Sequence, residues 1–224
     1  MKHLIKIMAL MALFFALTFL LVKVTGVLSV DQIKLWLTQA KTLSPYYIGG
    51  IVVLLLFADL FIAVPTMTTI TLSGYFLGFP NGAIASLVGL TLAGITGYGL
   101  SRMFGDRVFT FLLKKEEAGR EAKATFRQYS VIMILLSRAT PILAEVTACL
   151  AGMTHMKFSK FLLAWFASTI PYALIIAYAG SVSSLEDPAP AIYAAIGISA
   201  TLWIGWYLFN LKRKRADNAH KQPM

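Results

Sequence analysis

Three ionisable side chains, Asp59, Arg138 and Glu145, stand in stretches otherwise bare of charge. Between residues 42 and 101 there is no lysine, arginine or histidine, and Asp59 is the only charged group. Arg138 and Glu145 are the only charged groups in the second stretch, residues 131–153, and Pro141 lies between them. An ionisable group at membrane depth costs at least ~2.5–3.5 kcal/mol on insertion scales, so it marks an anion contact, a proton relay or a buried pair. Arginine offers a planar fork of donors that fits phosphate or carboxylate. A carboxylate can carry a proton. Arg138 and Glu145 therefore suit either an anion contact beside a proton-carrying acid or an ion pair that pins a loop. Asp59 is a further candidate acid. The hydroxyl run Thr66, Thr68, Thr69, Thr71 and Ser73 has a plainer use, bonding back to the carbonyls of its own helix.

Other chemistries find little to work with. One cysteine, Cys149, excludes an internal disulfide. The histidines His3, His155 and His220 are scattered, and no HExxH, P-loop, GxSxG or GxGxxG occurs. No cofactor, no metal and no enzymatic activity are expected.

Composition names the solvent. The 224 residues are 58% hydrophobic and 13% charged, against roughly 25% charged in a soluble domain. A compact globule could not hide that much apolar surface, but lipid can. The net charge of +10 sits at the flanks of apolar runs, at Lys2 and Lys6, between Arg102 and Arg127, and in Lys212-Arg213-Lys214-Arg215. Cytoplasmic flanks carry such charge. Nucleic-acid binding would need basic groups converging on one face with aromatics, so none is expected.

The apolar runs set the elements. Residues 4–22 predict an uncleaved membrane anchor, because no small-residue cleavage site follows them. Residues 82–101 predict a crossing helix whose Ala85, Gly89, Ala93, Gly97 and Ser101 form one stripe for close helix packing. Before it, residues 46–64 run into Pro65 and then Gly74, Gly78, Pro80 and Gly82, which predicts two helices meeting at a break inside the membrane. Residues 102–128 mix seven basic with four acidic groups and read as a cytoplasmic connector. Two crossings need about 40 residues, so the 23 residues 131–153 must dip in and return. Residues 158–180 cross, with a kink at Pro171. Glu186 and Asp187 suit the outer side, and residues 191–211 return inward with Trp203, Trp206 and Tyr207 as anchors. The expected fold is an all-α integral membrane protein with four full transmembrane helices, two re-entrant helical hairpins and both termini cytoplasmic.

The halves echo each other. Pro65 precedes Ser73-Gly74 and a crossing that ends at Gly105; Pro141 precedes Ala151-Gly152 and a crossing that ends at Gly180. Entering from opposite sides, they are inverted repeats, the sequence pointer to a secondary transporter. Pro65, Gly74, Pro141 and Gly152 are then the helix breaks expected to line the site.

Ser137-Arg138-Ala139-Thr140-Pro141, Leu150-Ala151-Gly152-Met153 and Phe158-Ser159-Lys160-Phe161 resemble the DedA and SNARE-associated Golgi protein superfamily, the VTT domain. Val64-Pro65, Leu72-Ser73-Gly74-Tyr75-Phe76-Leu77-Gly78 and Ser101-Arg102-Met103-Phe104-Gly105 agree with it. Ala144 stands where the DedA branch has a second arginine, and Asp59 is the one acid near the first proline, so the resemblance is nearer the Golgi-protein branch. It implies an anchor and outer loop at 1–45, a transport core at 46–181 and a final helix with a basic tail at 182–224. It implies a carrier or scramblase of lipids or lipid-linked phosphates in a bacterial inner membrane, undecaprenyl phosphate or phospholipid among them, with protons as a driving force. A proton-coupled carrier of a small anionic solute or ion, and a membrane-organising protein that transports nothing, remain open beside it. The oligomeric state is left open.

Overall fold

Proline and glycine cut the chain into short and long helices. The computed structural model describes residues 30–41, 44–62, 64–112, 116–139 and 143–183, with scattered single positions elsewhere. The anchor expected at 4–22, Pro141, Glu186, Asp187 and much of 191–211 lie outside the described residues. Seven α-helices and no strand occur among those described: α1 Val30–Lys41, α2 Pro45–Ala58, α3 Thr66–Leu77, α4 Phe79–Leu112, α5 Glu116–Leu136, α6 Leu143–Met153 and α7 Phe158–Val182. A 3-10 turn, Ser137–Ala139, follows α5.

The lengths fall into two groups. Phe79–Gly105 and Phe158–Val182 are 27 and 25 residues of helix, long and apolar enough to cross a membrane. At ~1.5 Å per residue, α2, α3 and α6 with 14, 12 and 11 residues reach about 16–21 Å, short of a ~30 Å hydrocarbon core. Helix α4 runs past the expected crossing through Leu112, so the polar connector is helical on both sides of residues 113–115. Helix α1 was not expected at all; Ile33, fully buried, ties it to α2 and α3.

Local chemistry explains the ends. Pro45 opens α2, where its missing N–H costs nothing, and the Ser44 hydroxyl accepts from the Tyr46 N–H. Helix α3 survives its glycine because its hydroxyls turn inward on the backbone. Thr69 donates to the Pro65 carbonyl at 3.1 Å, Thr71 to Met67 at 2.9 Å and Ser73 to Ile70 at 2.7 Å. Only Gly78, at φ +76, separates α3 from α4. The equivalent turn of the second half has His155 at φ +53, so each short helix reaches its long partner through a left-handed residue.

The halves are tied by exchange. Short helix α3 packs on long helix α7, and short helix α6 packs on long helix α4. Glycine sits on both sides of each crossing. A Cβ on Gly74 would enter the Ala177 carbonyl of α7, and one on Gly180 the Thr71 carbonyl of α3. A Cβ on Gly152 would enter the Tyr98 carbonyl of α4, and one on Gly105 would press on Met153 of α6. These four glycines are the ones that close the repeated segments in the sequence. The small-residue stripe of α4 is buried from Ala85 to Gly97 as well, with Ser101 half-buried: Gly89 lies against Val53 and Leu56 of α2, and Gly97 against Leu60.

Candidate functional site

Arg138 projects from the 3-10 turn after α5, the turn that leads to the segment containing Pro141. Its guanidinium donates to the Thr169 hydroxyl at 3.1 Å. The same group stands over the Trp165 ring at 4.8 Å from the centroid and the Tyr172 ring at 5.4 Å. Both lie within the ~6 Å reach of a cation–π contact. Trp165, Thr169 and Tyr172 follow i, i+4, i+7 spacing, so one face of α7 builds the whole cradle. The indole has room because Gly94 of α4 lacks a side chain; a Cβ there would collide with it.

Two donors in this cradle are unspent. Among the described residues, the buried Arg138 Nε and Trp165 Nε1 have no hydrogen-bond partner. Buried donors in native structures are nearly always paired, so each exception calls for a ligand or a role.

Glu145 lies in the first turn of α6 and is partly buried. Among the described residues Arg138 forms no ion pair with it. Arg138, Glu145 and Asp59 nevertheless lie within reach of one another's charge, as does the Tyr172 hydroxyl. Arg138, Glu145 and Trp165 share a small internal cavity of about 10 Å³ with Leu56, Leu60 and Gly94. That is roughly the room for one water.

Asp59, only 7% exposed, ends α2. Its carboxylate accepts from the Val64 N–H at 2.8 Å and from the Thr66 hydroxyl. The acid thus bridges the break on either side of Pro65, satisfying donors that the interrupted helix leaves free. Of the other expected break residues, Gly74 and Gly152 sit at the two helix crossings, away from the residues lining the cavity. Pro141 lies outside the described residues.

Arg138 also lines a second cavity, a groove of about 470 Å³ bounded by α7 and by Ala194, Gly197, Ile198 and Thr201. The arginine therefore stands between an internal chamber holding an acid and a groove open at the surface.

Sequence reasoning missed the cradle. Its signal was the i, i+4, i+7 row Trp165, Thr169 and Tyr172, hidden inside a uniformly apolar helix. It also missed a clamp on the turn after α6. There Arg102 donates to the Met156 carbonyl at 3.2 Å and to the Tyr98 hydroxyl at 2.7 Å, and Arg127 donates to the Thr154 carbonyl at 3.1 Å. Cations and donors at a helix C-terminus meet the carbonyls left without partners. No group of three or more metal-ligating side chains occurs among the described residues.

Residues 64–182, more than half of the chain, match the VTT domain. The chain belongs to the VTT-domain family, within the DedA superfamily. The matched span of the VTT domain holds Arg138, Glu145, the cradle on α7 and both glycine crossings; Asp59 precedes it. Undecaprenyl phosphate transporter A of Bacillus subtilis (strain 168) is 25% identical to the chain over 167 residues, which is 68% of this chain and 84% of that protein. No solved structure matches. Membership in the VTT-domain family and the two long apolar helices make this an all-α membrane protein.

Proposed function

We propose that this VTT-domain protein carries lipids or lipid-linked phosphates across the membrane, with Arg138 as the anion contact and Glu145 and Asp59 on a proton pathway. The observation that carries it is Arg138: a guanidinium fixed by Thr169 and two rings, with a buried Nε–H still unspent. A charge held this way is organised for a partner that arrives. Phosphate is the anion whose geometry the guanidinium fork fits. Transport of undecaprenyl phosphate by the Bacillus subtilis relative supports a lipid-linked phosphate as the cargo. Two carboxylates to one guanidinium leave an acid unmatched by a cation, the group type that can exchange a proton. No bond of the cargo is broken, so the protein is a carrier and not an enzyme.

Four full crossings and two re-entrant hairpins, with both termini in the cytoplasm of a bacterial cell, suit these elements. Helices α2 and α3 would form one hairpin and the end of α5 with α6 the other, and α4 and α7 two of the crossings. The transport core would span 46–181, with the anchor and outer loop at 1–45 and the last helix and basic tail at 182–224. A phosphatase fused after Asp187 is expected to be active and one fused after Arg215 silent. The reverse pattern overturns this topology.

The function is tested by reconstitution into liposomes. The protein is expected to move labelled undecaprenyl phosphate between leaflets faster than protein-free vesicles do, and faster than it moves free phosphate. Faster movement of free phosphate favours a small-solute carrier. No movement of any cargo favours an organising protein that transports nothing.

A further inference from the structure

The groove at Arg138 has a shape and a depth that a headgroup contact alone does not use. Its volume of about 470 Å³ falls in the ~300–1,000 Å³ range of small-molecule sites. Among the described residues of its lining, Arg138 is the one that is charged. One wall is Ala167, Pro171 and Ile175 of α7; the facing wall includes Gly197 and Ile198. Ala167, Pro171, Ile175 and Gly197 are exposed at the surface of the fold. Residues 167–175 are the middle of α7, Phe158–Val182, so with α7 crossing the bilayer as proposed above the groove would open sideways at the depth of the hydrocarbon. A solute arriving from water has no use for an apolar mouth at that depth. A chain already in the bilayer does, since an apolar wall there needs no dehydration of polar groups.

We infer that this groove is a chain-binding subsite: the hydrocarbon chain of an anionic lipid lies between α7 and the wall made by Ala194, Gly197, Ile198 and Thr201, with its phosphate at Arg138. This rests on the carrier function proposed above and adds where the lipid enters and which part of it is read. One cation in a groove whose described lining is otherwise uncharged matches an amphiphile with one charged end. The unspent Nε of Arg138 supplies the second, polar requirement. Entry is lateral, through the gap between α7 and the C-terminal segment, and preference for long chains arises in this gap.

Filling the groove separates chain recognition from headgroup recognition. A Cβ added at Gly197 meets nothing within 4 Å, so Gly197→Trp starts an indole at the groove wall without a backbone clash. Ala167→Trp fills it from the opposite wall. Leu54→Trp, at a 66% exposed position of α2 outside the groove, is the control. Binding to the full chain in phosphatidylcholine nanodiscs is measured by calorimetry with undecaprenyl phosphate and with dimethylallyl phosphate, which has the same headgroup and one isoprene unit. The wild type is expected to prefer the long chain by about tenfold or more, because only the long chain packs along the groove walls, and in lipid such packing contacts are what favour association. Gly197→Trp and Ala167→Trp are expected to abolish that preference while binding the short phosphate as the wild type does. Leu54→Trp is expected to keep the preference. A wild type without chain preference, or groove variants that retain it, overturns the subsite and leaves the carrier function standing. A wild type that binds neither phosphate overturns both.

Discussion

Gly180→Leu and Gly152→Leu are each expected to leave almost no folded protein after extraction. At Gly180 the new side chain would start inside the van der Waals envelope of the Thr71 carbonyl, and at Gly152 inside that of Tyr98. Both obstacles are backbone, which cannot swing aside as a flexible side chain can. Relief requires α3 and α7, or α6 and α4, to separate along the crossing. That removes the close approach which holds helices together in lipid, where no hydrophobic force favours contact between them. The loss exceeds the ~1–3 kcal/mol typical of an overpacked core, and it strikes the contact that joins the two halves. Gly50→Leu and Gly99→Leu are the controls, since a Cβ at either position meets nothing within 4 Å. Monodispersity in detergent and thermal melting report the outcome. Variants at 180 and 152 that melt like the controls would mean that the crossings are looser than described.

Arg138→Lys is the second large effect. Lysine keeps the charge but loses the planar fork and the stacking between Trp165 and Tyr172. Charge-assisted hydrogen bonds contribute ~1.5–3 kcal/mol each, and each ~1.4 kcal/mol is tenfold. Transport of a phosphate-bearing lipid is expected to fall at least tenfold while the protein remains folded. Glu145→Gln probes the other half of the site. Breaking a buried ion pair costs about 3–5 kcal/mol, but Arg138 is held by Thr169 and two rings and not by Glu145. Glu145→Gln is therefore expected to melt near the wild type and to lose the pH dependence of transport, because the amide cannot exchange a proton. A large drop in melting temperature would place Glu145 in the structural framework. An unchanged pH profile would remove it from the proton pathway.

Much of this architecture could be read from residues whose cost in lipid is high. Proline, glycine and charge each break a rule of the bilayer, so their positions carry information without any knowledge of contacts. Pro65 located the first break, Asp59 proved to be the acid that spans it, and the glycines at 74, 105, 152 and 180 repeated in an order that the two crossings explain. The α4 stripe was legible because small residues every four positions have one geometric use. The cradle was not legible. Trp165 and Tyr172 look like any aromatics in an apolar helix until Arg138 is placed against them, and that placement depends on packing between α5 and α7. Helix α1 was missed because its polar sequence gives no membrane signal; the burial of Ile33 ties it to the fold. Gly74 and Gly152 were legible as special positions but not for their task. A glycine that ends a helix and a glycine that admits a neighbour look alike in sequence.

Leaflet exchange decides whether Arg138 is the contact for a lipid-linked phosphate. Wild type and Arg138→Ala are reconstituted at equal density, with folding verified by melting, and the time course of labelled undecaprenyl phosphate leaving the inner leaflet is followed. The wild type is expected to exhaust the inner-leaflet pool while Arg138→Ala stays at the rate of protein-free vesicles. Equal rates for the two proteins would contradict the claim and remove Arg138 from the transport site.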